Sequence, residues 1–337
     1  MKALKLLLLS LFIGASTVVA MAQPTLLPPD AIRRGEPAFV VFLPGHGGQP
    51  AAGYTLTIRY ADGRESLPYR GFKAPPGLPA AGQRAGGLDT AYAGTSASGA
   101  VRSAILFLVS VPTDAVPGDA AMVVFDPDGI AAVGARFAIV DRAFLHEDLR
   151  LDTALTSLRI DADPLKTEQA IRYQALLSTV DPAAAFLGGG FVKPVATERI
   201  TSFFGMRRRY IYADGGIDSS THSGVDYGCP RGTPVVAAGS GRVAMAEARI
   251  VTGNTVVIEH LPGAYTIYMH LDSMAVAAGD MVEAGTRIGA VGMTGLATGP
   301  HLHWEFRVMG AACDPEALVG LDKMPTIRTI LPAIEGR

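Results

Sequence analysis

Two histidine clusters roughly eighty positions apart hold side chains able to build one metal site. The first is Thr221-His222-Ser223-Gly224-Val225-Asp226, a His-x-x-x-Asp, and the second is Gly299-Pro300-His301-Leu302-His303-Trp304-Glu305, a His-x-His. Zinc takes imidazole nitrogen and carboxylate oxygen readily, and catalytic zinc sites use three protein ligands so that a fourth position holds water. Residues 301–307 alternate as a strand does, so His301 and His303 project from one face, where one can bind metal while its neighbour stands over the water. Two histidines on a strand face are ordinarily surface residues. Concentration argues otherwise, because His222, His260, His270, His301 and His303, five of the seven histidines, fall in this one stretch.

His222-Ser-Gly-Val-Asp226, Tyr268-Met-His270-Leu and Thr294-Gly-Leu-Ala-Thr-Gly-Pro-His301-Leu-His303-Trp together resemble the lysostaphin-type (LytM-like) zinc endopeptidases of bacterial cell walls. Between those motifs, Ser202-Phe-Phe-Gly205, Arg231-Gly-Thr-Pro-Val235, Gly253-Asn-Thr-Val-Val-Ile258 and Gly279-Asp280 are also similar to that family. The likeness covers roughly Phe191 to Leu318. It departs at Arg207 to Thr221, which is longer and richer in tyrosine than the usual approach to the first histidine, and at Cys229, where a small apolar residue is expected.

The resemblance implies Zn2+ held by His222, Asp226 and His303. The Asp226 charge would offset part of the metal's charge and fix its geometry. His270 and His301 are then the catalytic histidines: one takes the proton released as water attacks a peptide carbonyl, and the other meets the oxyanion or protonates the leaving amine. Sequence does not say which does which. Tyr268, two residues before His270, would share its strand face and could donate to the oxyanion, although an aromatic on a strand more often packs. His260, before the turn Leu261-Pro-Gly263, reads as structural, and His46 and His146 read as surface residues. The implied substrates are stem or cross-bridge peptides of peptidoglycan, a D,D-cross-link ahead of a glycine bridge. The competing class is a non-catalytic wall-binding regulator that activates an amidase. Such relatives lose ligands, and this chain keeps all three and both flanking histidines.

The elements that must position these residues come next. The 337 residues suffice for two domains with separate cores; 49% are hydrophobic and 18% charged, which excludes a disordered protein. A formal net charge of −2 leaves no footprint for nucleic acid, and the one dense basic run, Arg207-Arg208-Arg209, reads at most as a groove rim. Residues 1–22 read as a signal peptide: Lys2 and Lys5, an apolar stretch from Leu6 to Ala20, then Ala20-Met21-Ala22 before Gln23. That stretch is too short for a membrane span, so the mature chain is expected to be exported without one.

Residues 23–142 carry all-β patterning and predict an immunoglobulin-like sandwich. Tyr54, Leu56, Ile58 and Tyr60 share a face, and Lys73 to Ala100 forms a long Gly/Ala/Pro-rich loop. Residues 143–190 predict a helical connector, its helix starting at Asp163-Pro164 and ending near Ser178, with Gly188-Gly-Gly190 as hinge. Residues 191–320 predict a mostly antiparallel β metallopeptidase domain with a zinc groove, followed by a tail over 321–337. Cys229 and Cys313 can pair in an exported protein, and a bridge is slightly favoured over two buried thiols or over Cys229 as a ligand that would close the site to water. The first domain is expected to restrain access to the metal, with positioning on the wall and simple support of folding as alternatives.

Overall fold

The computed structural model describes residues 23–44, 51–73, 94–95, 101–102, 104–187 and 189–319. The expected signal peptide, most of the 73–100 loop, Gly188, His46 and the tail lie outside them. Alternation dictates the first layer pair. Tyr54, Leu56, Ile58 and Tyr60 are all at most 7% exposed, while the residues between them face outward, so the strand Thr55–Arg59 buries one face. It lies in a five-stranded sheet beside Gly118–Phe125, which pairs in turn with Ala131–Val140. A four-stranded sheet opposes it, built on Pro37–Leu43 and the fully buried Ile105–Ser110.

The expected helix is Pro164–Leu177, with the Asp163 side chain accepting from Leu165 N and Lys166 N. Two connector elements carried no strong apolar period. One is a helix, Thr153–Ile160, capped by Asp152; the other is a strand, His146–Arg150. That strand runs parallel to Arg207–Ile211, which forms an antiparallel hairpin with Ile217–Thr221. The segment flagged for its length is therefore this hairpin, and the connector is stitched to it.

The C-terminal region is a ten-stranded sheet whose central strands are Gly224–Gly228, His301–Val308, Ala264–Met274 and Gly253–Leu261. Its pairings are antiparallel throughout. Trp304, Tyr227, Tyr268 and Phe306 fill the core, each at 0% exposure. Separate cores were expected, yet the apolar residues of sandwich and sheet run together in one cluster. A smaller cluster seats Tyr173 and Leu177 of the long helix on Met245, Val257 and Ile267. The junction is specific as well as apolar. Phe144 lies so close to Gly205 that a Cβ there would come within 2.3 Å of its ring, Arg142 pairs with Asp314, and Asp314 N donates to Gly35 O.

Candidate active site

Asp226 and His303 are directly opposite one another on neighbouring antiparallel strands, and His222 lies just before the first of those strands. Closeness of the two backbones requires Gly224: a Cβ there would come within 2.3 Å of the Trp304 carbonyl oxygen. The result is a triangle of donor atoms. His222 Nε2 lies 3.1 Å from Asp226 Oδ1 and 3.0 Å from His303 Nδ1, and the last two atoms are 2.7 Å apart. All three residues are buried, at 2%, 6% and 7% exposure.

The surroundings fix which atom each ring offers. His222 Nδ1 donates to Phe203 O at 2.9 Å, leaving Nε2 facing the other two residues. His303 Nε2 donates to Glu305 Oε1 at 2.9 Å, leaving Nδ1 facing inward. Glu305 is in turn bound by Arg307 Nε at 2.7 Å. Arg208 forms a close ion pair with Asp226 Oδ2, the carboxylate oxygen that does not meet the histidines. Burial alone would raise the Asp226 pKa, but its close contacts with His222 and His303 outweigh it and hold the carboxyl well below its ordinary range. Two imidazoles and a carboxylate, each backed by a partner on its far side, are a donor set suited to zinc. Tetrahedral ligands about 2 Å from zinc stand about 3.3 Å apart, so the triangle fits with a few tenths of an ångström of opening.

His270 and His301 flank this triangle, their ring centroids 4.9 Å apart, and that of His270 lies 6.1 Å from His303. His301 Nδ1 donates to Gly299 O at 2.8 Å, and its Nε2 lies 3.8 Å from Asp226 Oδ1. His270 Nδ1 donates to Thr294 O at 2.8 Å. Both rings therefore keep Nε2 free when neutral. Burial, reinforced by His301 and His303, holds the His270 pKa down to about 3. His270 also has φ of +61°, a left-handed conformation rare for a side-chain-bearing residue. The cause is visible in the register. Asn254 faces Leu271 while Val256 faces Tyr268, so the single Thr255 on one strand is set against Met269 and His270 on the other. This bulge breaks the alternation and re-aims His270.

Tyr268 therefore does not share the His270 face, as strict alternation had suggested. It is fully buried, and its hydroxyl accepts from Ala238 N at 2.7 Å and bonds Thr266. His260 is structural as read: Ser240 O at 2.8 Å and Thr266 Oγ1 at 2.7 Å satisfy both its nitrogens. His146 is exposed, as expected. Among the described residues no other group of His, Cys, Asp or Glu gathers as a metal site.

Two expectations need correction. Cys229 and Cys313 are both free and buried. Cys229 follows Gly228, which faces His301, whereas Cys313 faces Phe306; five strand residues separate those positions by roughly 16 Å, beyond the reach of a bridge. The basic run is not merely a rim, since Arg208, its side chain 13% exposed, turns inward to Asp226. Sequence reading also missed Glu305, although its place two residues past His303 on one strand face was the available signal. Ser202 stood out only as part of the family-like Ser202-Phe-Phe-Gly205, and no sequence signal pointed to Glu147; both meet Arg208 from other segments.

Comparison with known proteins agrees with this geometry. Residues 220–315 match the profile of Peptidase family M23. The DD-carboxypeptidase/endopeptidase Mpg of Neisseria meningitidis is 41% identical over 128 residues, 38% of this chain and 29% of that protein. The peptidoglycan DD-endopeptidase ShyC of Vibrio cholerae is 40% identical over 125 residues, 37% of this chain and 28% of that protein. The match thus spans under a third of each relative's length. A crystal structure of a putative M23 peptidase from Pseudomonas aeruginosa shares the fold over 85% of this chain and 94% of its own, with TM-score 0.50 and 22% identity. The likeness to Peptidase family M23 thus rests on residues 220–315, the segment that contains the His-x-x-x-Asp and His-x-His elements.

Proposed function

We propose that this protein is an exported zinc endopeptidase that hydrolyses peptide cross-links of peptidoglycan, with the D,D-cross-link as its bond. The observation that carries the reading is the convergence of His222 Nε2, Asp226 Oδ1 and His303 Nδ1 within 2.7–3.1 Å, flanked by two further histidines with a free Nε2. Those three residues would hold the metal. Zinc supplies a Lewis acid that polarises the scissile carbonyl and lowers the pKa of water to about 7.

The remaining work falls to the two flanking rings. His301 Nε2 lies 3.8 Å from Asp226 Oδ1 and so faces the donor triangle. It takes the proton of the attacking water on Nε2 and returns it to the leaving amine. His270 is kept neutral by its burial and by the neighbouring imidazoles, and its Nε2 lone pair orients the water by accepting a hydrogen bond. Thr294 O and Gly299 O lock the two rings in the tautomer this division requires.

A D,D-bond is favoured because the relatives named above are DD-endopeptidases. A non-catalytic regulator is disfavoured by the complete donor set. The signal-peptide pattern of residues 1–22 and the peptidoglycan named for the relatives support export; among the described residues no helix is long and apolar enough to cross a membrane. Digestion of purified sacculi with the zinc-loaded protein, followed by mass analysis of muropeptides, tests the proposal. Conversion of cross-linked dimers to monomers at the D-alanyl bond is expected. Cleavage confined to glycine bridges would replace the substrate, and no cleavage of either kind would leave the regulator.

A further inference from the structure

The connector strand His146–Arg150 lies outside the segment that matches the peptidase family, yet one of its side chains reaches the candidate metal site. Glu147 Oε2 accepts from Arg208 Nε at 3.0 Å and from Ser202 Oγ at 2.9 Å. Arg208 Nη2 donates to Ser202 Oγ at 2.8 Å and also holds Asp226 Oδ2. Ser202 Oγ lies 3.3 Å from His222 Nδ1. One carboxylate thus anchors the two side chains that touch two of the three donor residues from behind.

The strand register explains how this comes about. Glu147 faces Arg208 in the parallel pair, and alternation puts His146, Asp148, Arg207 and Arg209 on the opposite face. On that other face Asp148 pairs with Arg209 at the surface, with side chains 47% and 53% exposed. On the inner face, Glu147 and Arg208 are 22% and 13% exposed, where a charge interaction is less screened.

We infer that Glu147 is a positioning residue of the metal site, acting through Arg208 and Ser202 to hold Asp226 with Oδ1 turned toward the histidines. The inference rests on the metal reading given above. Two effects of Glu147 act in the same direction. Anchoring Arg208 by its Nε leaves Nη2 to occupy Asp226 Oδ2, so the carboxylate presents Oδ1 alone to the metal. The Glu147 charge also offsets the Arg208 charge, which by itself opposes a nearby cation. The connector is consequently part of the metal centre as well as a tether.

The test is zinc affinity, measured by chelator competition on the full mature chain, with each variant held well below its melting temperature. Glu147→Gln preserves shape and removes the charge, and is expected to bind zinc about 10–100-fold more weakly, the usual cost of losing a residue that orients a ligand. In an Arg208→Met background the same change should have almost no further effect, because the route to Asp226 is already cut. Asp148→Asn, on the outer face of the same strand, should leave affinity within about twofold of wild type and so reports on strand pairing alone. Glu147→Gln binding zinc as tightly as wild type, or losing as much in the Arg208→Met background as alone, overturns the inference. Failure of the wild-type chain to bind zinc would instead overturn the metal reading beneath it.

Discussion

Glu305 is the side chain whose replacement separates fold stability from metal binding most cleanly. It is 4% exposed, and its two oxygens serve different partners, His303 at 2.9 Å and Arg307 at 2.7 Å. Burial would raise its pKa, but Arg307 and His303 prevail and hold the carboxyl below its ordinary range. Its contribution is therefore complete above the unfolded value of about 4.5 and fades as pH falls toward the folded one. Glu305→Gln removes the charge and leaves Arg307 buried with Gly310 O, at 3.2 Å, as its remaining acceptor. Breaking one side of a buried ion pair costs about 3–5 kcal/mol, and the surviving carbonyl contact points to the lower end. Denaturant unfolding of the metal-free protein at pH 7 should show about 3 kcal/mol lost, and the deficit should shrink below pH 4.5 as the wild-type carboxyl is protonated. Adding Arg307→Met should restore most of the stability, since no charge is then stranded. It should not restore zinc affinity, which falls about 10–100-fold in both variants because His303 has lost its anionic partner. A metal-free Glu305→Gln protein within about 1 kcal/mol of wild type would refute the buried-pair argument. Recovery of zinc affinity in the double variant would refute the role assigned toward His303.

Further expectations concern the rest of the site. His301→Ala and His270→Ala should retain stoichiometric zinc by elemental analysis but lose about 10²–10⁴-fold in hydrolysis of cross-linked peptidoglycan; near-normal rates in either would remove that residue from the mechanism. His303→Ala should fail to retain zinc in the same analysis. Burial lowers the His260 pKa from 6.5 to about 4, so the unfolded chain takes up a proton before the folded one does as pH falls through that window. Stability worth about 3 kcal/mol should be lost between neutral pH and pH 4 on this account, and a His260→Gln variant should show a correspondingly flatter denaturation profile. A fragment of residues 191–337 should need more zinc than the longer chain, having lost Glu147. At equal zinc occupancy it should hydrolyse faster, because Thr113 and its neighbours no longer wall the cleft beside His222. A folded fragment no faster than the mature chain would exclude restraint by the N-terminal half.

What the sequence disclosed follows from which signals are local. The strands at Thr55–Arg59 and His301–Val308 were legible because alternation of apolar side chains is a property of a few consecutive residues. The helix at Pro164–Leu177 was legible because Asp163 and Pro164 mark its start. Thr153–Ile160 and His146–Arg150 were missed for the opposite reason: one is short with a single buried residue, and the other is charged and held by its partner strand. The His270 bulge was invisible because it is a mismatch between two strands, and neither strand shows it alone. The expected disulfide failed for a related reason. Proximity of Cys229 and Cys313 to ligand segments in sequence said nothing about their separation along one shared strand.

The candidate ligands were legible while their supports were not, and the physical distinction is chemical scarcity. Histidine is rare enough that five in one stretch stand out, whereas Glu147, Ser202 and Arg208 are common surface residue types. Their importance is conferred by the hairpin at 207–221, the segment whose length had marked a departure from the family pattern. A shorter approach to His222 would leave the connector strand no edge to pair with, and Glu147 no route to Arg208. Extra length here therefore adds a docking strand, and docking carries a carboxylate to the back of the metal site. That couples the N-terminal half to the chemistry through bonded side chains. Any motion that lifts the connector off the hairpin must also withdraw Glu147 from Arg208 and Ser202, the side chains that stand behind Asp226 and His222.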